Sequence, residues 1–148
     1  MRVEREPSTT RPAGAVAADP TAGVGSESWH DALVVGTVTF GGAYEGPPGC
    51  VHGGFIAGSF DEILGVTQSL SGQPGMTAQL DISYRSPTPL RREVHFRGRI
   101  ERIDGRKIHA VATLHHGDVL CAEARGLFIS MKPEVFERLM RDRAQAGD

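Results

Sequence analysis

The stretch Pro47-Pro48-Gly49-Cys50-Val51-His52-Gly53-Gly54 runs directly into Phe55-Ile56-Ala57-Gly58-Ser59-Phe60-Asp61-Glu62-Ile63-Leu64-Gly65-Val66. A Gly/Pro loop breaking into an apolar, helix-period segment predicts a helix N-terminus, where backbone N–H groups lack intrahelical partners. Such groups suit a developing negative charge, because they are oriented beforehand at the positive end of the helix dipole. Asp61 and Glu62 are the carboxylates of this otherwise uncharged segment. A buried acid is costly unless paired, so a carboxylate on a core helix is a functional candidate. Gly54, Ala57, Gly58, Asp61 and Gly65 recur at helical spacing and share one face, whereas Ile56, Phe60, Ile63 and Leu64 lie largely on another. Asp61 therefore stands on a strip nearly bare of side chains, which a substrate or second chain could approach closely. Glu62 is turned about 100° away. From the residues alone two readings stay open: a reactive carboxylate, or close packing with Asp61 in a structural hydrogen bond.

The elements that must position this strip follow from periodicity and turn chemistry. Residues 33–40 read as a first strand, ended by Gly41-Gly42. The helix gives out around residues 69–75, where Ser, Gly and Pro cluster. Residues 77–86 alternate, with Ala78, Leu80, Ile82 and Tyr84 on one face and Thr77, Gln79, Asp81, Ser83 and Arg85 on the other. Pro87 and Pro89 mark a bend or an edge. Strands over 93–103, 106–115 and 119–131 are separated by Asp104-Gly105 and His116-Gly117-Asp118. Residues 134–143 read as a short amphipathic helix, with Val135, Phe136, Leu139 and Met140 clustered. Strand, long helix and four meander strands predict an α+β domain over residues 29–148. Residues 1–28, rich in Ala, Gly, Pro, Ser and Thr, read as a mobile arm, with Trp29 beside them favouring burial.

With Asp61 nine residues after the histidine, His52-Gly53-Gly54 resembles the hotdog-fold acyl-CoA thioesterases of the PaaI-like type, and within them the branch of thioesterase superfamily member 4. Gly46-Pro47-Pro48-Gly49 before Val51, Thr77 sixteen residues after Asp61, Tyr84-Arg85 ahead of two prolines, and Gly105-Arg106-Lys107 complete the likeness, which spans about residues 33–133. The chain departs from some relatives by carrying Gly46 where they have an asparagine. The resemblance implies a hotdog fold, an antiparallel sheet wrapped around a long central helix. It implies hydrolysis of an acyl-CoA to a carboxylic acid and coenzyme A, with no metal or redox cofactor.

In that frame the Gly54 N–H, with Gly53 beside it, would hold the thioester oxyanion. Asp61 would act as general base on water or attack directly to give a mixed anhydride. Thr77 would hold the water or orient Asp61. His52 is a possible general base, but the family's use of the carboxylate implies that it orders the loop or touches the carbonyl. Ser83 and Arg85, expected on the same strand face as Thr77, would reach coenzyme A phosphates together with Arg106 and Lys107. Gly54 and Asp61 are separated by roughly 10 Å along one helix. One helix cannot easily bring both to one thioester carbon, whereas two antiparallel helices across a two-fold axis can. The expectation is a homodimer with shared active sites, with a tetramer as a further assembly. A non-catalytic acyl-CoA-binding module is the alternative; a hotdog dehydratase would need an acid–histidine arrangement not found here.

Composition narrows the classes further. A length of 148 residues suits one domain with a sizeable core. Sixteen basic against eighteen acidic residues leave no nucleic-acid footprint. No apolar run reaches membrane-spanning length and the N-terminus lacks a signal-peptide core. Cys50 and Cys121 have neither metal-ligand spacing nor a disulfide framework, and Cys50 lacks an identifiable base to make it a nucleophile. His30, His95, His109, His115 and His116 show no metal pattern. A reducing cytoplasm is the expected setting.

Overall fold

Helix α1 (Gly53–Ser69) begins where the loop glycines meet the apolar repeat. Ile56, Phe60, Ile63 and Leu64 are all buried, joined by Thr67 and Gln68 a turn later. Gly54, Phe55, Gly58, Asp61 and Glu62 remain exposed. The computed structural model describes residues 1–7 and 29–147. Within them α1 lies against a six-stranded antiparallel sheet in the order β1-β2-β4-β5-β6-β3. The strands are β1 (Arg2–Pro7), β2 (Ala32–Thr39), β3 (Gly75–Tyr84), β4 (Glu93–Asp104), β5 (Lys107–His116) and β6 (Val119–Ser130), and α2 (Pro133–Ala146) follows. One antiparallel sheet around a central helix is the hotdog architecture of the α+β class.

Period-two patterning orients the strands. On β5, Ile108, Ala110, Ala112 and Leu114 are buried while their neighbours are half-exposed. The two hairpins flanking β5 turn at Gly105 and Gly117, whose φ values are 56° and 57°. Asp104 pairs with Lys107 and His116 with Val119, so each turn spans two residues.

Small residues floor the helix seat. Gly36, Gly98 and Gly126 face α1, among Ala110, Ala112 and Ala124. A Cβ on Gly98 would collide with the Thr67 hydroxyl, and one on Gly36 with Ile63. Phe60 meets Phe96 edge-on at 5.1 Å between ring centroids.

Two features depart from the sequence reading. Arg2–Pro7, inside the stretch expected to be a mobile arm, pairs antiparallel with β2 from Arg2↔Thr37 to Pro7↔Ala32. Edge pairing is a backbone interaction and needs no apolar period, so composition did not signal it. Residues 8–28 of that expected arm lie outside the described residues. Second, β3 carries a bulge between Thr77 and Gln79, which breaks the expected alternation. The expected amphipathic helix forms as α2, with Phe136, Leu139 and Met140 exposed. Trp29 packs half-buried against the core, as its type favours. Among the described residues no helix is long and apolar enough to cross a membrane.

Gly98→Ala should test the helix seat. Overpacking against Thr67 is expected to cost about 1–3 kcal/mol, lowering the melting temperature by roughly 5 °C or more. Gly41→Ala, where a Cβ meets nothing within 4 Å, should shift it far less. Calorimetry on both variants makes the comparison.

Candidate active site

The loop before α1 is pinned by backbone bonds. Gly46 N–H donates to Cys50 O at 2.9 Å, and Val51 N–H donates to Thr88 O at 2.9 Å. Gly49, at φ 76°, donates its N–H to Glu45 Oε1 at 2.7 Å. A Cβ at position 46 would lie 2.8 Å from His52 Cα, so this backbone has no room for the asparagine of some relatives. The pinned loop delivers His52 as the N-cap of α1.

His52 Nδ1 accepts the Gly54 N–H at 2.9 Å. An accepting Nδ1 carries no proton, so this hydrogen bond assigns the neutral ring's proton to Nε2. The Gly54 N–H expected to face a ligand is therefore held by the imidazole. Among the described residues no acceptor engages the Gly53 N–H. Gly53 O accepts from the Tyr84 hydroxyl at 2.7 Å, which ties the start of α1 to the end of β3.

Two turns along α1, Asp61 Oδ1 accepts from Thr77 Oγ1 at 2.8 Å, and both residues are exposed. The bulge makes this contact possible. Thr77 pairs with the inward Phe128, while Gln79 pairs with Leu127 and Leu80 with the inward Gly126. The extra residue, Ala78, thus puts Thr77 on the same face as Leu80, Ile82 and Tyr84. Strict alternation put Thr77 with Ser83 and Arg85, and the structure corrects that: both lie on the opposite, outer side of the sheet. Ser83 pairs with Glu123, and the Arg85 guanidinium bonds Glu123 Oε1 at 2.8 Å.

The other expected phosphate ligands sit elsewhere. Arg106 Nε donates to Ser130 O at 3.0 Å, and Lys107 is exposed on β5 opposite Ile129. Arg85 N–H bonds Cys121 O, at the other end of β6 from Ser130. That spacing along β6 places the two arginines roughly 30 Å apart. Within one chain, then, Asp61 and Thr77 come together, as do His52, Gly53 and Gly54, while Ser83, Arg85, Arg106 and Lys107 join neither group. Tyr84 entered the sequence reading as a strand-face and motif residue without a role; its bond to Gly53 depends on how α1 crosses β3, which periodicity does not encode. Among the described residues Cys50 and Cys121 are free thiols, and no group of three or more His, Cys, Asp or Glu side chains gathers.

Comparison with known proteins places this geometry among relatives. The family model for the Thioesterase superfamily matches residues 48–123. Acyl-coenzyme A thioesterase THEM4 of Mus musculus is 40% identical over 92 residues, covering 61% of this chain and 40% of that protein. The chain thus spans about two fifths of the length of the curated relatives it matches. A crystal structure of a thioesterase superfamily protein is 43% identical with a TM-score of 0.63, covering 66% of this chain and 51% of that one. A second, from Shewanella loihica PV-4, is 27% identical with a TM-score of 0.60, covering 68% and 84%.

The His52 cap gives a direct prediction. His52→Ala should lower stability by about 1 kcal/mol and speed amide hydrogen exchange at Gly54. His52→Asn, which keeps a capping acceptor, should recover most of both. Unchanged Gly54 exchange in the alanine variant would count against the cap.

Proposed function

Because the chain belongs to the thioesterase superfamily, we propose that it hydrolyses acyl-coenzyme A thioesters to a carboxylic acid and coenzyme A. The observation that carries this reading is the 2.8 Å bond from the Thr77 hydroxyl to Asp61 on the bare strip of α1. Thr77 fixes one carboxylate oxygen and leaves Oδ2 to take a proton from water. The water oxygen then bonds to the thioester carbon, and the oxyanion takes the Gly54 N–H as the His52 ring turns aside. The C–S bond breaks, and the leaving thiolate recovers the proton from Asp61. Direct attack by Asp61, through a mixed anhydride that water then opens, uses the same groups. Neither route calls on a metal or redox cofactor. The similarity to curated acyl-coenzyme A thioesterases supports the choice of substrate.

The site we propose is shared by two copies in a homodimer. Gly53 is tied to Tyr84 at one end of β3 and Asp61 to Thr77 near the other, so α1 and β3 run in opposite directions. An antiparallel second copy would set its Gly54, His52 and Arg85 end against the Asp61, Thr77 and Arg106 end of the first. Arginines roughly 30 Å apart in one chain would then approach the coenzyme A of one site, with Lys107 and Ser83 nearby. The position of β3 at the edge of the sheet among the described residues, and the bare strip, support that approach. A tetramer would pair two such dimers. Two free thiols accord with a cytoplasmic setting.

Thiol release across short, long and aromatic acyl-CoAs tests the activity. Asp61→Asn should lower turnover by about 10²-fold or more with binding largely kept. Thr77→Val should cost about 10- to 100-fold, the worth of a hydrogen bond to a charged group. Thr77→Ser should restore most of that. An effect of Thr77→Val confined to the Michaelis constant would make Thr77 a substrate-binding residue instead.

A further inference from the structure

We infer that Tyr84 is a positioning residue, whose hydroxyl clamps the Gly53–Gly54 peptide so that the Gly54 N–H is aimed and strengthened as the oxyanion donor; this rests on the thioesterase reading above. The Gly53 carbonyl and the Gly54 N–H are two ends of one planar peptide group. Side chains hold both ends. Gly53 O accepts from the Tyr84 hydroxyl at 2.7 Å, and the Gly54 N–H donates to His52 Nδ1 at 2.9 Å.

Helix capping does not account for the Tyr84 bond. The start of a helix lacks acceptors for its N–H groups, whereas its carbonyls already receive intrahelical bonds. Gly53 is the first residue of α1, so its oxygen has a donor four residues on. Tyr84 adds a second donor to a carbonyl that needs none, on its remaining lone pair. What the added bond changes is the peptide itself. Consecutive glycines give this peptide little steric guidance of its own. A donor on the carbonyl restrains the plane and polarises the amide, and hydrogen bonds in series strengthen one another by about 10–30%.

The clamp is anchored on a rigid element. Tyr84 closes β3, where it pairs with the buried Ala122, and the N–H groups of Arg85 and Ser86 donate to Cys121 O at 2.8 and 3.0 Å. Its ring lies along Gly53, where a Cβ would meet Cζ and Oη at 3.4 Å. The two clamps part company during turnover. In the proposed reaction the His52 ring yields the Gly54 N–H to the oxyanion. The Tyr84 bond, on the opposite end of the peptide, stays in place and keeps the donor aimed while negative charge develops.

Tyr84→Phe keeps the ring and deletes the hydroxyl, and at 52% exposure the change opens no cavity in the core. Thiol release should show kcat lowered about two- to tenfold, the worth of one neutral hydrogen bond, with KM nearly unchanged. Calorimetry should show a loss of the same size for a coenzyme A phosphonate bearing an anionic oxygen in place of the thioester carbonyl, and none for the neutral, non-cleavable thioether. Amide exchange at Gly54 should quicken. Adding His52→Ala should quicken it by more than the product of the single effects, because one peptide then loses both restraints. Unchanged kcat, or Gly54 exchange indifferent to Tyr84→Phe, would overturn the assignment. Equal losses for phosphonate and thioether would also overturn it, marking a merely structural tie. Coupled exchange at Gly54 in a protein that releases thiol from no acyl-CoA would uphold the clamp and reject the thioesterase reading.

Discussion

How closely α1 can sit on the sheet governs what the outer face of the helix can do. Glycines at 36, 98 and 126 and alanines at 110, 112 and 124 leave little side-chain bulk beneath the helix. Phe60, Ile63 and Leu64 fill the remaining space, each stabilising the fold by about 1.5–3 kcal/mol on burial. With the inner face committed, Asp61 has a fixed height and direction above β3. A helix seated farther out would carry its carboxylate beyond reach of the Thr77 hydroxyl. The same seat brings Gly53 under Tyr84 and sets the angle at which the α1 N-terminus emerges.

Much of this was legible in the chain, for identifiable reasons. The faces of α1 could be read because a 3.6-residue period separates Asp61 from Ile56, Phe60 and Ile63 without ambiguity. Strands β4 to β6 could be read because Gly105 and Gly117 punctuate clean alternation. The Asp61–Thr77 pairing followed from family spacing alone, since strict alternation would have turned Thr77 away from the helix. The bulge at Ala78 reverses that, and a single extra residue leaves no mark in composition. Strand β1 escaped notice because its attachment is backbone pairing along β2. The Gly54–His52 bond was also hidden: the motif suggests a free donor, whereas the loop geometry supplies it with an internal acceptor.

That internal acceptor shapes the proposed chemistry. A neutral imidazole on the Gly54 N–H keeps the helix start ordered without ligand and yields to a stronger, charged acceptor as the oxyanion forms. The donor is then preorganised, and turning the ring is the only local rearrangement required. The two neighbouring carboxylates point in different directions. Asp61 meets Thr77 on β3, the side on which the proposed second copy would approach, while Glu62 lies toward the end of β2. In the proposed dimer one helix would serve two half-sites, giving Asp61 to one and its N-terminus to the other.

Whether one active site draws on two subunits is decided most directly by mixing two inactive variants. Asp61→Asn removes the carboxylate, and Gly54→Pro removes the N–H at the start of α1. After subunit exchange, each heterodimer should contain one intact site and show about half the activity of an unmutated dimer. Recovery at that level, appearing only after exchange, is the predicted result. Folded variants that demonstrably exchange subunits yet stay inactive would contradict the shared site.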